Sequence, residues 1–285
     1  MRHDDTKRIL AVHDLSCFGR CALTVVIPVL SVMGACVVPL PTALLSTHTG
    51  GFTDMPFLDL SDTMMPALEH YSSMQLRFDA IYTGFLGSAG QIDTVARAID
   101  MFGSEAPVLV DPVMGDDGKV YQTYTPEMCS RMRELCRKAD ILTPNLTEAC
   151  LLCDEEYFDS AALSPDEALA RAEALRHRMT KLFGAKKLAL TGIELSDGRI
   201  ATISYDRECT EREIVHCFHK ILHGYPGTGD LFASVLLGRL LDGGSFHESV
   251  DFACRITADM IADTAKYDSL TREGLRLEKN LYRLL

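Results

Sequence analysis

The 285 residues are 47% hydrophobic and 24% charged, an ordinary globular composition without the charge excess or low complexity of a disordered chain. A formal net charge of -12, with Lys and Arg scattered, repels phosphate backbones and anionic lipid, so neither nucleic-acid nor membrane partners are expected. No apolar run reaches the roughly 18 residues that span a bilayer, Met1 to Arg8 lacks signal-peptide order, and ten Cys without disulfide spacing suit a reducing compartment, so a cytoplasmic protein is expected.

Along the chain, short apolar or β-branched runs recur at Ile9 to His13, Cys36 to Leu40, Ala80 to Phe85, Val108 to Val113, Ile141 to Thr143 and Leu188 to Ile193. Helical segments lie between them, and this alternation predicts a parallel sheet covered by helices. Ser164-Pro165-Asp166-Glu167 reads as a helix start with a capping box, and the helix is predicted to run to Phe183 before Gly184. Arg199 to Tyr205 and Glu213 to Phe218 read as an antiparallel edge pair, followed by helices over Gly229 to Leu241 and Phe246 to Ala265. With no linker, repeat or low-complexity stretch, residues 1–285 are expected to form one α/β domain. Cys150 and Cys153 form a C-x-x-C without a second pair or a His cluster, so packing thiols are expected rather than zinc or redox chemistry.

Three junctions between strands and helices hold residues able to do chemistry. Asp111 closes an apolar strand in Val110-Asp111-Pro112-Val113-Met114-Gly115, where open α/β sheets bind ligands; it suits a metal or phosphate site, or a capped turn. Thr143-Pro144-Asn145 follows the next strand, and Asn145 and Glu148, three apart, face one crevice or form a helix cap. Gly227-Thr228-Gly229-Asp230 precedes an apolar helix, so its backbone N–H groups and the helix dipole make an anion cradle. Asp230 is then either an N-terminal charge on that helix or a general base. Independent caps need not align on one sheet edge, and that convergence favours a site. No G-x-x-x-x-G-K-[ST] is present, and no G-x-G-x-x-G follows the first strand, which removes a P-loop and most support for dinucleotide redox chemistry.

These residues carry a resemblance. Gly227-Thr228-Gly229-Asp230, Asp111-Pro112-Val113-Met114-Gly115, Asn145 with Glu148, and Ser46-Thr47-His48-Thr49-Gly50 make the chain similar to the ribokinase superfamily over essentially its full length. Within it, D-P-V-M-G and S-x-H-T resemble the pyridoxal/pyridoxamine kinases. The resemblance implies a three-layer, ribokinase-like sandwich and ATP-dependent phosphorylation of a B6 vitamer's hydroxymethyl group. Asp230 would be the base, and Gly227, Thr228 and Gly229 the anion hole. Asp111 and Glu148 would hold Mg2+ and the ATP phosphates, with Thr143, Asn145 and Thr191 near the nucleotide. Asp14, Ser16, Thr47, His48 and Thr49 would meet the substrate together with Asp230. A homodimer is also implied, and a monovalent-cation requirement is left open.

Two departures stand out. Asp14 occupies a position where the resembling kinases mostly carry Ser, and it suits either a substrate contact or a cap for the helix after Phe18. Gly19-Arg20-Cys21-Ala22 diverges from the family's G-x-x-G. A hydroxymethylpyrimidine kinase of the same superfamily, usually with Cys in place of Thr228, and a catalytically silent vitamer-binding protein are the other readings.

Overall fold

The computed structural model describes residues 6–221, 224–267 and 271–285. Nine strands form one sheet in the order β11-β10-β9-β8-β5-β4-β1-β2-β3. In chain order they are β1 (Arg8–Phe18), β2 (Cys36–Thr47), β3 (Phe57–Asp59), β4 (Ala80–Thr83), β5 (Val108–Val110), β8 (Ile141–Leu142), β9 (Lys187–Glu194), β10 (Arg199–Asp206) and β11 (Glu213–His219). A separate ribbon pairs β6 (Gly115–Asp116) with β7 (Lys119–Val120). From β2 across to β9 the pairings are parallel, as expected from the alternating runs.

Two helical layers cover this sheet because its strands bury alternate residues on opposite faces. Leu10 and Val12 of β1 join the core beneath α2 (Ser61–Ser73), α3 (Ala89–Phe102), α4 (Pro126–Cys136), α5 (Leu146–Cys153) and α6 (Pro165–Phe183). Ile9 and Ala11 point the other way, into the core with α1 (Leu23–Val32), α7 (Thr228–Leu241) and α8 (Phe246–Thr264). The period of two along the strand thus assigns each side chain to a layer, giving the three-layer α/β sandwich expected from the sequence.

The antiparallel edge is larger than expected. Besides pairing with β11, β10 runs antiparallel to β9, and β3 adds an antiparallel strand at the far edge. Ser164 caps α6 by accepting the Glu167 N–H at 3.3 Å, and Gly184 ends it in the left-handed region at φ 72°. The full capping box forms at α5. Cys150 and Cys153 are buried in the core under α5 and α6, and burial raises their thiols to about 11 and about 12.

The chain leaves β1 toward β2 on one side, then returns to place β4 on its other side. This reversal opens a crevice at the carboxyl ends of β1 and β4, the general ligand position in such sheets. Predicted to end at His13, β1 instead continues to Phe18, so Asp14 lies inside the strand. The register with β2 shifts between His13 and Leu15, placing Asp14 at an irregularity of the kind common beside active sites.

Candidate active site

Gly227 is the N-cap of α7, with φ 81°. A Cβ there would lie 2.2 Å from the Arg20 carbonyl oxygen, so only glycine fits. The first-turn amides of Thr228 and Gly229 have no partner inside the helix and form an open, positively polarised cradle. Asp230 follows on the same turn. Its Oδ2 accepts the Ala22 N–H at 2.8 Å and lies 3.6 Å from the Cys21 thiol. Burial raises its pKa, and the Ala22 amide opposes that rise.

His13 was not singled out from sequence, yet its Nδ1 lies 3.9 Å from Asp230 Oδ1. Burial lowers its pKa to about 3, so the ring is neutral and the contact is not an ion pair. Both ring nitrogens are buried without a hydrogen-bond partner. The ring packs edge-on to Tyr82 at 4.3 Å, and a Cβ on Gly84 would strike it at 2.3 Å.

Asp14 is 6% exposed and accepts the Ser16 hydroxyl at 2.6 Å. Burial raises its pKa to about 6, with the Asp230 charge adding to the rise. The helix-cap alternative is corrected: α1 starts at Leu23, and its N-cap, Ala22, provides no side-chain bond. Ala22 itself has φ 50° and ψ -130°, a conformation that favours glycine, at the divergent G-x-x-G position.

Asp111 sits one residue beyond β5, where its N–H donates to the Thr83 carbonyl at 2.9 Å. Burial, then the Asp230 charge, pushes its pKa well up. The Thr143 hydroxyl, buried without a well-formed hydrogen bond, leans toward Asp111 and opposes this. Asp111 Oδ2 would lie 3.9 Å from a Cβ on Gly229, so this carboxylate adjoins the α7 cradle. Glu148 combines both alternatives left by the sequence. It closes the capping box, accepting the Asn145 N–H at 2.8 Å and the Met114 N–H at 3.2 Å, yet it is a buried carboxylate pushed up by burial and by Asp111. Asn145 Nδ2 donates to the Gly115 carbonyl at 2.8 Å and pairs by backbone with Thr191. Asn145 therefore acts first as a brace between α5, β6 and β9.

No group of three His, Cys, Asp or Glu able to hold a metal occurs among the described residues. Asp111 and Glu148 are nevertheless buried carboxylates, and the Asp111 charge raises the pKa of Glu148. That donor set fits Mg2+, which uses one or two carboxylates and completes its shell with water and substrate phosphates.

His48 is 4% exposed. Its Nδ1 accepts the Gly50 N–H at 3.1 Å, so the proton lies on Nε2, which donates to the Arg272 carbonyl at 2.6 Å. Thr47 pairs with Phe18 across β1 and β2, its hydroxyl buried without a partner. Thr49 is exposed on the rim. A Cβ on Gly50 would lie 3.9 Å from the Pro226 ring, so this loop adjoins the α7 cradle.

A parallel sheet whose strand ends gather a helix-N-terminal cradle and buried carboxylates defines a ribokinase-like phosphotransferase. The chain belongs to the phosphomethylpyrimidine kinase family, whose model matches residues 11–272. A Bacteroides thetaiotaomicron protein, described as a candidate phosphomethylpyrimidine kinase and crystallised with pyridoxal, is 40% identical with a TM-score of 0.89, covering 98% of this chain and 96% of that one. Pyridoxal kinase from Lactobacillus plantarum is 28% identical with a TM-score of 0.86, covering 98% and 96%. A pyridoxal kinase of Arabidopsis thaliana is 28% identical over 241 residues, 82% of this chain and 74% of its own length.

Proposed function

We propose that the protein transfers the γ-phosphoryl group of ATP to the hydroxymethyl group of a B6 vitamer. Asp230 carries the reading: a raised-pKa carboxylate one residue from unpaired helix amides, in the crevice that also holds Asp14. Asp230 takes the hydroxymethyl proton as that oxygen attacks the γ-phosphorus and the bond to ADP breaks. The cradle of Gly227, Thr228 and Gly229 receives the charge that spreads over the transferred oxygens. Neutral His13 lies beside Asp230 without neutralising it.

Asp111 and Glu148 would hold Mg2+, which neutralises charge on the β- and γ-phosphates. Thr143, Asn145 and Thr191 line the nucleotide side. On the acceptor side, Ser16 orients Asp14, and Thr47, His48 and Thr49 border the ring. Asp14 would pair with a ring nitrogen or amino group. By its family resemblance the protein works as a homodimer, and its ten Cys without disulfide spacing suit the reducing cytoplasm. Among the described residues no helix is long and apolar enough to cross a membrane.

Phosphorylation of a hydroxymethylpyrimidine is the second reading, favoured by the family description and by a carboxylate that would also suit an aminopyrimidine. Thr228, where such kinases usually have Cys, supports the vitamer. Phosphorus NMR of the product tests the chemistry. Phosphate coupled to methylene protons is expected; inorganic phosphate alone would contradict it.

A further inference from the structure

The Gly19–Ala22 loop supplies the amide that holds Asp230, yet Gly19 has φ 92° and Ala22 φ 50°. Glycine takes such a conformation freely, but at Ala22 it persists only where its surroundings over-determine it. Those surroundings are residues 273–278. The Glu273 carbonyl accepts both the Arg20 N–H at 3.1 Å and Arg20 Nη1 at 3.2 Å. Glu278 binds Arg20 Nε with both oxygens, at 3.0 and 3.2 Å. Gly274, at φ 78°, lies so close that a Cβ would meet the Arg20 carbonyl oxygen at 2.7 Å. The same carbonyl oxygen presses on Gly227. The Arg20 backbone is therefore wedged between the C-terminal segment and the α7 cradle.

The segment also reaches the acceptor loop. The Arg272 carbonyl fixes the His48 proton on Nε2, and its guanidinium lies 4.8 Å above Phe52, which packs against His48 at 5.0 Å. Its own anchorage is firm. Leu275 and Leu277 are 1% and 2% exposed, the Arg276 N–H donates to Thr264 Oγ1 at 3.0 Å, and buried Asn280 binds Asp263 at 2.9 Å. A segment rooted in α8 thus touches both sides of the acceptor pocket, and among the described residues its hydrogen bonds reach Arg20 and His48 rather than Asp111, Thr143, Asn145, Glu148 or Thr191.

We propose that residues 271–278 form a positioning clasp that sets the Gly19–Ala22 loop against Asp230 and holds His48 beside the acceptor ring. The proposal rests on the kinase reading above. It predicts a split: acceptor kinetics depend on the clasp, and ATP kinetics do not.

The test is steady-state kinetics of the full-length protein with Mg-ATP and pyridoxal or pyridoxamine, beside thermal melting. Gly274→Ala, which must displace Arg20, should lower kcat/KM for the acceptor by about 10²-fold, the loss typical of an ångström-scale misplacement, with ATP KM within about twofold. Glu278→Ala covers the case in which Gly274→Ala fails to fold. Its pair with Arg20 is solvent-facing, so melting should barely change while acceptor KM rises several-fold. Arg20→Glu combined with Glu278→Arg should recover acceptor kinetics that either substitution alone loses. Wild-type kinetics in Glu278→Ala and Gly274→Ala would overturn the clasp, as would parallel losses for acceptor and ATP that follow the melting temperature. Absence of vitamer phosphorylation in the unsubstituted protein would instead overturn the kinase reading.

Discussion

Asp14→Asn should make the ligand-free protein more stable at alkaline pH and a poorer enzyme. Asp14 is 6% exposed, and its named polar partner is the Ser16 hydroxyl, a bond that the Asn carbonyl oxygen retains. Burial moves its pKa from the usual 3.8 to about 6. The folded state therefore prefers the protonated acid, and the ionised form opposes folding. At about 1.36 kcal/mol per unit, the charge costs about 3 kcal/mol once the pH exceeds the folded value. Below the unfolded value of 3.8 both states are protonated and the cost disappears. Urea denaturation of both proteins from pH 4 to pH 8 should show midpoints that coincide near pH 4 and diverge in favour of Asp14→Asn through pH 6. Parallel midpoints across the range would refute the buried-charge reasoning. A protein that keeps so costly a charge has a use for it. Asp14→Ser should shift the ratio of pyridoxamine to pyridoxal kcat/KM toward pyridoxal by one to two decades, the worth of roughly 1.5 to 3 kcal/mol for a charge-assisted hydrogen bond.

Asp230→Asn should cost at least about two decades in kcat while nucleotide and vitamer binding, followed by calorimetry, stay near normal; a smaller loss would remove the base assignment. Ala22→Gly should raise the melting temperature with activity kept, because relief of ~1–3 kcal/mol of backbone strain outweighs glycine's ~0.5–1 kcal/mol entropy cost. A clear destabilisation would show that Ala22 is not strained. Cys150→Ser and Cys153→Ser should each destabilise by about 1–3 kcal/mol by burying a hydroxyl, leave kcat within a few fold and release no metal; stoichiometric zinc lost on substitution would contradict the packing role.

Where side chains alternate between two buried layers, the sequence was readable: Ile9 to Val12 already identify β1 as a central strand. Its extension from His13 to Phe18 was hidden because Asp14 and Ser16 are polar residues buried at the crevice, where function overrides pattern. Pro41, following Pro39, likewise hid the extension of β2 from Leu40 to Thr47. They are tolerated because β3 pairs only with Ala43 to Leu45, leaving the outer edge of β2 open beside the prolines. At three residues for β3 and two each for β6 and β7, those strands are too short for a periodic signal. Asp111, Glu148 and Asp230 were legible because each follows an apolar strand or opens a helix. His13, the Arg20 wedge and the C-terminal contacts were not, since they depend on pairings across most of the chain. Glu148 could not be resolved from sequence between cap and site; its two oxygens show why, since capping uses the same carboxylate that faces Asp111.

The central claim is most directly tested by ADP release from the purified protein with Mg-ATP and, in parallel, pyridoxal, pyridoxamine, pyridoxine and hydroxymethylpyrimidine. The account predicts turnover of the B6 vitamers with kcat/KM above that for the pyrimidine. Turnover of hydroxymethylpyrimidine alone, or of none of the four, would contradict it.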